Sequence, residues 1–142
     1  MFDREYGSLA TIGITVPQAN TTVEPEMTAL MPDGVSMLIG RLQGCRENSR
    51  NRLLEYLDNF GETLSDFDTA PLDAVGYACT ATSYLIGAEQ EERRIGEFSA
   101  KAGFPIVTAA QAIRAALQHL GAQKMALFAP YPAWAVEASQ AY

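Results

Sequence analysis

The feature that most constrains this chain is an alternation, repeated from end to end, of short β-rich apolar runs with longer amphipathic stretches. Thr11-Ile12-Gly13-Ile14-Thr15-Val16 is a β-branched run stopped by Pro17. A helix is expected from Thr21 or Thr22, with Glu24 and Glu26 in its first turn, Met27, Leu30 and Met31 as its apolar stripe, and Pro32-Asp33-Gly34 as its end. Further strands are expected at Val35–Ile39, Ala74–Ala78, Pro105–Thr108 and Lys124–Ala129. Between them lie a polar loop over Gly40–Asn48, a helix over Arg50–Phe67 and a helical region over Ser83–Gly103 interrupted at Gly87. A helix over Ala109–Leu120, closed by Gly121, and a last helix from Ala133 complete the series. Strand–helix alternation of this kind implies an α/β fold, a doubly wound parallel sheet of flavodoxin-like form.

Ligands of such sheets sit outside the carboxyl ends of the strands. Three segments fall there: Pro17–Thr22, Cys79–Ser83 and Pro130-Tyr131. The middle one carries the strongest chemical signal. The apolar run Val75-Gly76-Tyr77-Ala78 ends at Cys79, and four of the next five residues, Thr80, Thr82, Ser83 and Tyr84, carry hydroxyls. A thiol at a strand tip and before a helix is offered to a ligand and made more acidic by the helix dipole. The alternative is a buried structural thiol, since cysteine is among the most buried residues.

Charge and missing motifs narrow the chemistry. The net charge is −7 with only 10 Lys and Arg, and no basic tract, which argues against nucleic acid or an anionic membrane surface as partner. Neither a Gly-x-Gly-x-x-Gly nor a Walker-type loop is present, and there is no Cys-x-x-Cys pair or Gly-x-Ser-x-Gly elbow. A cysteine phosphatase would need arginine where Leu85 stands. The single histidine, His119, lies late in an alanine-rich helix and reads as a solvated or capping residue. A cysteine–histidine pair and a transition-metal site therefore lack their components. The two cysteines, Cys45 and Cys79, make no disulfide framework, and the opening Met1-Phe2-Asp3-Arg4-Glu5 is no signal peptide, so a cytoplasmic location is expected. Cys45 reads as a passive loop thiol, and Glu89, Glu91 and Glu92 as a solvated helix face. Arg41 and Arg46 are either solvated or turned toward an anionic ligand.

Strand followed by proline occurs twice, at Ala10–Pro17 and at Gln123–Pro130. The repeat suggests a first α/β lobe over residues 1–121, carrying Asn20 and Cys79, and the beginning of a second, truncated lobe over 122–142. The complete protein would then have roughly 230 residues in two domains.

Three segments carry a resemblance. Val16-Pro17-Gln18-Ala19-Asn20-Thr21-Thr22-Val23-Glu24 resembles the first-strand signature of maleate cis–trans isomerases. Gly76-Tyr77-Ala78-Cys79 resembles their first catalytic-cysteine motif, and Ala129-Pro130-Tyr131 the start of their second lobe. These enzymes belong to the aspartate/glutamate racemase superfamily with the arylmalonate decarboxylases. The resemblance implies a cofactor-independent isomerase or racemase acting on a small dicarboxylate, assembled as a homo-oligomer. It makes Cys79 the nucleophile or one of two acid–base thiols. Pro17, Asn20, Thr80 and Tyr131 become substrate-binding residues, and the second cysteine lies beyond residue 142. The hydroxyl-rich Thr80–Tyr84 run is closer to the decarboxylases, which usually carry glycine in place of Cys79. Read from the residues alone, Asn20 is equally a capping residue and Tyr131 an edge-packed aromatic. A non-catalytic anion-binding domain on the same fold is the competing class. A thiol pKa near the free value of about 8.5 favours it, and a depressed one favours the enzyme.

Overall fold

The computed structural model describes residues 4–142. Four strands, β1 (Ala10–Pro17), β2 (Val35–Leu42), β3 (Ala74–Tyr77) and β4 (Ile106–Thr108), form one parallel sheet in the order β2-β1-β3-β4. The helices are α1 (Val23–Leu30), α2 (Ser49–Asp58), α3 (Phe60–Ser65), α4 (Thr80–Ile86), α5 (Ala88–Ala102), α6 (Ala109–His119) and α7 (Ala133–Ala141). The chain leaves β1 toward β2, then returns to add β3 on the other side of β1. That reversal places the topological switch point, and the crevice that goes with it, between the carboxyl ends of β1 and β3. No helix among the described residues is long and apolar enough to cross a membrane.

The two faces of the sheet are covered unequally. On one face Leu42, Tyr56, Leu57, Phe60, Val75, Tyr77, Ile95 and Ile106 form the core, with Cys79 part of it. Phe60 is fully buried, and its ring meets those of Tyr77 and Phe98 edge-on, each at 5.0 Å between centroids. Phe67 lies over Gly13 and Gly40; a Cβ at either glycine would sit 3.0 Å from its ring. On the other face α1 buries no residue fully and α6 only Ala110, leaving Val107 and Ile113 each 47% exposed.

Local chemistry fixes the helix ends. The Asn48 side chain accepts from the N–H groups of Arg50 and Asn51, at 2.9 and 3.1 Å, to start α2. Thr108 and Gln111 form a reciprocal capping box at the start of α6. Gly121 closes α6 in the left-handed region, with the Ala122 N–H donating to the Leu117 carbonyl at 3.0 Å.

Several boundaries differ from expectation. The stretch expected as one helix over Arg50–Phe67 is two, broken at Asn59, whose side chain leaves the helix line to donate to the Gln43 carbonyl at 3.2 Å. β2 runs on to Leu42 because it pairs with β1 as far as Pro17. The helix after β3 starts at Thr80 rather than Ser83, so the hydroxyl run is itself the helix. Lys124–Ala129 is not a strand: it runs exposed, with Phe128 97% exposed, and no described strand lies beside it to pair its backbone. Glu91 is not on a solvated face. It is 1% exposed, and one carboxyl oxygen accepts from the Tyr142 hydroxyl, holding the end of α7 against α5.

Candidate active site

Cys79 stands two residues past β3, in extended conformation, as the N-cap of α4. The Ala78 N–H still donates to the Thr15 carbonyl at 2.8 Å, so the sheet carries the chain up to the residue before the thiol. Cys79 is therefore anchored at the crevice between β1 and β3, but on its core side, and is only 6% exposed. Its Sγ lies 3.4 Å from the Thr82 hydroxyl, which donates to the Leu53 carbonyl of α2 at 2.8 Å.

Burial decides the electrostatics. It pushes the Cys79 thiol up, while the N–H groups of Thr82 and Ala81, and the Thr82 hydroxyl whenever it donates to sulfur, pull the other way. Burial thus opposes the acidification expected from the helix dipole. α4 has only 7 residues, and the sulfur is turned into the core. Two phenols face the same sulfur. Tyr77 is pushed well up, chiefly by burial and then by negative charge at Cys79, with the Thr82 hydroxyl near it working the other way; its own hydroxyl makes no hydrogen bond of ordinary geometry among the described residues. Tyr56 is pushed up by burial as well, with the Gln18 backbone and the Arg52 guanidinium working against it.

A cleft of about 240 Å³ opens beside this cluster, walled by Pro17, Arg52, Leu53, Tyr56, Ala81 and Tyr131. Two residues singled out in the sequence, Pro17 and Tyr131, thus share one cleft. Cys79 lies behind its wall, one residue from Thr80 and two from the lining residue Ala81. Thr80, half-buried, opens α4 without lining the cleft. Asn20 does not line it either: its side-chain oxygen accepts from the N–H groups of Thr22 and Val23, at 3.0 and 2.9 Å, and so braces the turn that leads into α1. Arg41 donates to the Asn20 carbonyl at 2.9 Å and pairs with Glu24, so it braces this turn. Cys45 lies in the loop after β2 and is not part of the cleft.

Sequence reasoning missed Arg52, Tyr56 and Thr82. Arg52 and Tyr56 are four residues apart and so share a helix face, a signal that the apolar stripe Leu53-Leu54-Leu57 masked. Arg52 is the charged residue of the cleft wall, with its Nε donating to the Cys45 carbonyl at 2.8 Å. Among the described residues no three His, Cys, Asp or Glu side chains converge to hold a metal ion.

A family model described as arylmalonate decarboxylase matches residues 12–142. The chain belongs to that family. Relatives of this arylmalonate decarboxylase family member include the maleate isomerase of Geobacillus stearothermophilus, 29% identical over an alignment 135 residues long that covers 84% of this chain and 53% of the relative. The Nocardia farcinica maleate cis–trans isomerase, in a mutant with a covalently bound succinylcysteine intermediate, superposes with a TM-score of 0.79 at 26% identity. That match covers 94% of this chain and 58% of the isomerase. A liganded mutant of arylmalonate decarboxylase has the same fold, with a TM-score of 0.80 at 22% identity, over 93% of this chain and 55% of the other. The family member thus falls in the aspartate/glutamate racemase superfamily, and it spans about half the length of the curated relatives it matches.

Proposed function

We propose that this chain is the thiol-bearing lobe of a cofactor-independent isomerase acting on a small dicarboxylate such as maleate. The observation that carries the reading is the position of Cys79: first residue past the last β1–β3 rung, at the switch point, at the head of α4 and against a cleft sized for a small acid. The Cys79 thiolate adds to one alkene carbon, and the electron pair moves toward the adjacent carboxylate. Hydroxyl and N–H groups of Thr80, the turn after Cys79 and Tyr131 take up that charge. The former double bond is then single and rotates, and expulsion of the thiolate gives the trans diacid. A succinyl group on cysteine, as held by the Nocardia relative, is the adduct that such an addition to maleate leaves after protonation.

In this reading Asn20 acts through the turn it braces. A second cysteine from a further lobe faces Cys79 across the substrate. The span of about half the relatives' length supports that lobe, as does the apolar Lys124–Ala129 run, which lies without a sheet partner among the described residues. Because the resting thiol is neutral, the thiolate has to form as the site is completed or filled.

A Cys79→Ser variant of the full-length protein, checked for native circular dichroism, is expected to convert maleate to fumarate at a rate near zero. Undiminished conversion would sink the reading. A decarboxylase is the second reading, favoured by the family whose model matches. It predicts carbon dioxide release from a substituted malonate and no turnover of maleate, so assaying both substrates separates the two.

A further inference from the structure

Thr82 presents one hydroxyl to the Leu53 carbonyl and the Cys79 sulfur, with the Tyr77 phenol also near it, and geometry decides where its single proton goes. The Leu53 carbonyl lies at 2.8 Å, the ordinary length of an O–H···O bond. The Cys79 sulfur lies at 3.4 Å, a length suited to a weak S–H donor. A threonine hydroxyl has a single proton to give and lone pairs to spare. With that proton on Leu53, the side of Thr82 that faces the sulfur is an acceptor.

We infer that Thr82 is a positioning residue that takes the Cys79 S–H bond in the resting protein and holds the thiol neutral. Resting on the reading of Cys79 as the reactive thiol, this adds a latch to it. In the absence of a ligand the Leu53 carbonyl keeps the Thr82 proton, so this hydroxyl gives the thiolate no donor; only a ligand pressing on Leu53 would free it to turn to the sulfur. Leu53 itself walls the cleft, so the latch is tied to the surface a ligand would touch.

The remaining groups facing the sulfur do not compete for this role. From α2 comes the Tyr56 phenol and from β3 the Tyr77 phenol, both shifted upward chiefly by burial. From α4 come the N–H groups of Ala81 and Thr82, fixed donors that no titration changes. Arg52 and Arg94 act on the two phenols rather than on the sulfur.

The test is the titration of Cys79, read by the cysteine ¹³Cβ signal that Cys79→Ser removes, in the full-length protein with no substrate present. In Thr82→Val, of matching shape without a hydroxyl, the curve should move to the acid side by about 0.5–1 pH unit, the weight of one modest hydrogen bond to the neutral form. Thr82→Ser should restore the wild-type curve. An unmoved curve in Thr82→Val, or one moved to the alkaline side, overturns the inference, because Thr82 would then be neutral or a donor. If Thr82→Val does not fold, the S–H stretch that Cys79→Ser removes from the full-length protein decides. A frequency lowered by hydrogen bonding is expected, and a free-thiol frequency overturns the inference. Neither readout uses turnover, so active Cys79→Ser protein would remove the isomerase reading and leave these results standing.

Discussion

Replacing Tyr77 by phenylalanine should make the protein more stable, although the residue lies at the centre of the core. The Tyr77 side chain is 1% exposed, and its hydroxyl makes no hydrogen bond of ordinary geometry among the described residues, although the Thr82 hydroxyl stands near it. An unsatisfied buried hydroxyl costs about 1–3 kcal/mol of desolvation. Deleting the oxygen relieves that cost and leaves a void the size of one atom. At ~24 cal/mol per Å³ of cavity, the void takes back only a few tenths of a kcal/mol. The edge-on contact between Phe60 and the Tyr77 ring survives the change. The net expectation is a gain of about 1–2 kcal/mol, a rise in Tm of about 2–8 °C for each kcal/mol. Urea unfolding followed by circular dichroism is the assay, with a higher midpoint and an unchanged m-value as the signature. A loss of 1 kcal/mol or more would refute the reasoning, because it would mean that the hydroxyl has a partner, such as a buried water, whose bond stabilises the fold.

Phe60→Ala should act in the opposite direction. Phe60 is fully buried with two aromatic edges against it, so a loss of about 3–5 kcal/mol is expected in the same urea assay, and a loss below 1 kcal/mol would show that the core collapses freely around the gap. Acid should weaken the protein in part through Asp73, whose carboxylate accepts from Arg4 at 2.6 Å and from the Thr11 N–H at 2.7 Å. The Arg4 contact first, and the Thr11 N–H second, hold the Asp73 carboxyl below its usual value. Its stabilisation is therefore fully present above the unfolded value of about 3.9 and is lost as pH falls through the lower folded value. Wild type should exceed Asp73→Asn in stability at pH 7 and lose that margin in acid below the folded value; a margin independent of pH contradicts the assignment.

The fold was legible in the sequence because its strands are bounded by residues with few options. Pro17 stops β1, Gly34 sits just before β2, and Gly87 and Gly121 break or close helices through positive φ. Asn59 carried no such mark, and the break between α2 and α3 is set by a long-range bond to Gln43 that no local pattern encodes. Lys124–Ala129 shows the limit of β propensity: an apolar run gives a segment the character of a strand, but pairing requires a neighbour. At the candidate site, Cys79 was visible as the end of an apolar run, whereas its protonation was not. Helix-dipole reasoning applied to Cys79 favours the thiolate; burial against Leu53, Thr82 and Tyr77 favours the thiol, and those neighbours are gathered from α2, α4 and β3. Glu91 was misplaced for the same reason, since its partner Tyr142 is 51 residues away.

The sheet order also bears on how the chain is made. β1 is synthesised before the other described strands, yet one of its two edges is reserved for β3, and Ile12 and Ala74 are partners across that gap. The Thr11 N–H and its Asp73 acceptor, at the mouth of the same pairing, are separated by 62 residues. At a translation rate of about 5–20 residues per second, that edge waits several seconds after the β1–β2 half exists. During that interval β1 presents an unsatisfied, β-branched ribbon to every other nascent copy on the same polysome. The order of synthesis, rather than the stability of the finished sheet, therefore sets the chain's exposure to intermolecular pairing, and slower decoding between β2 and β3 would lengthen it.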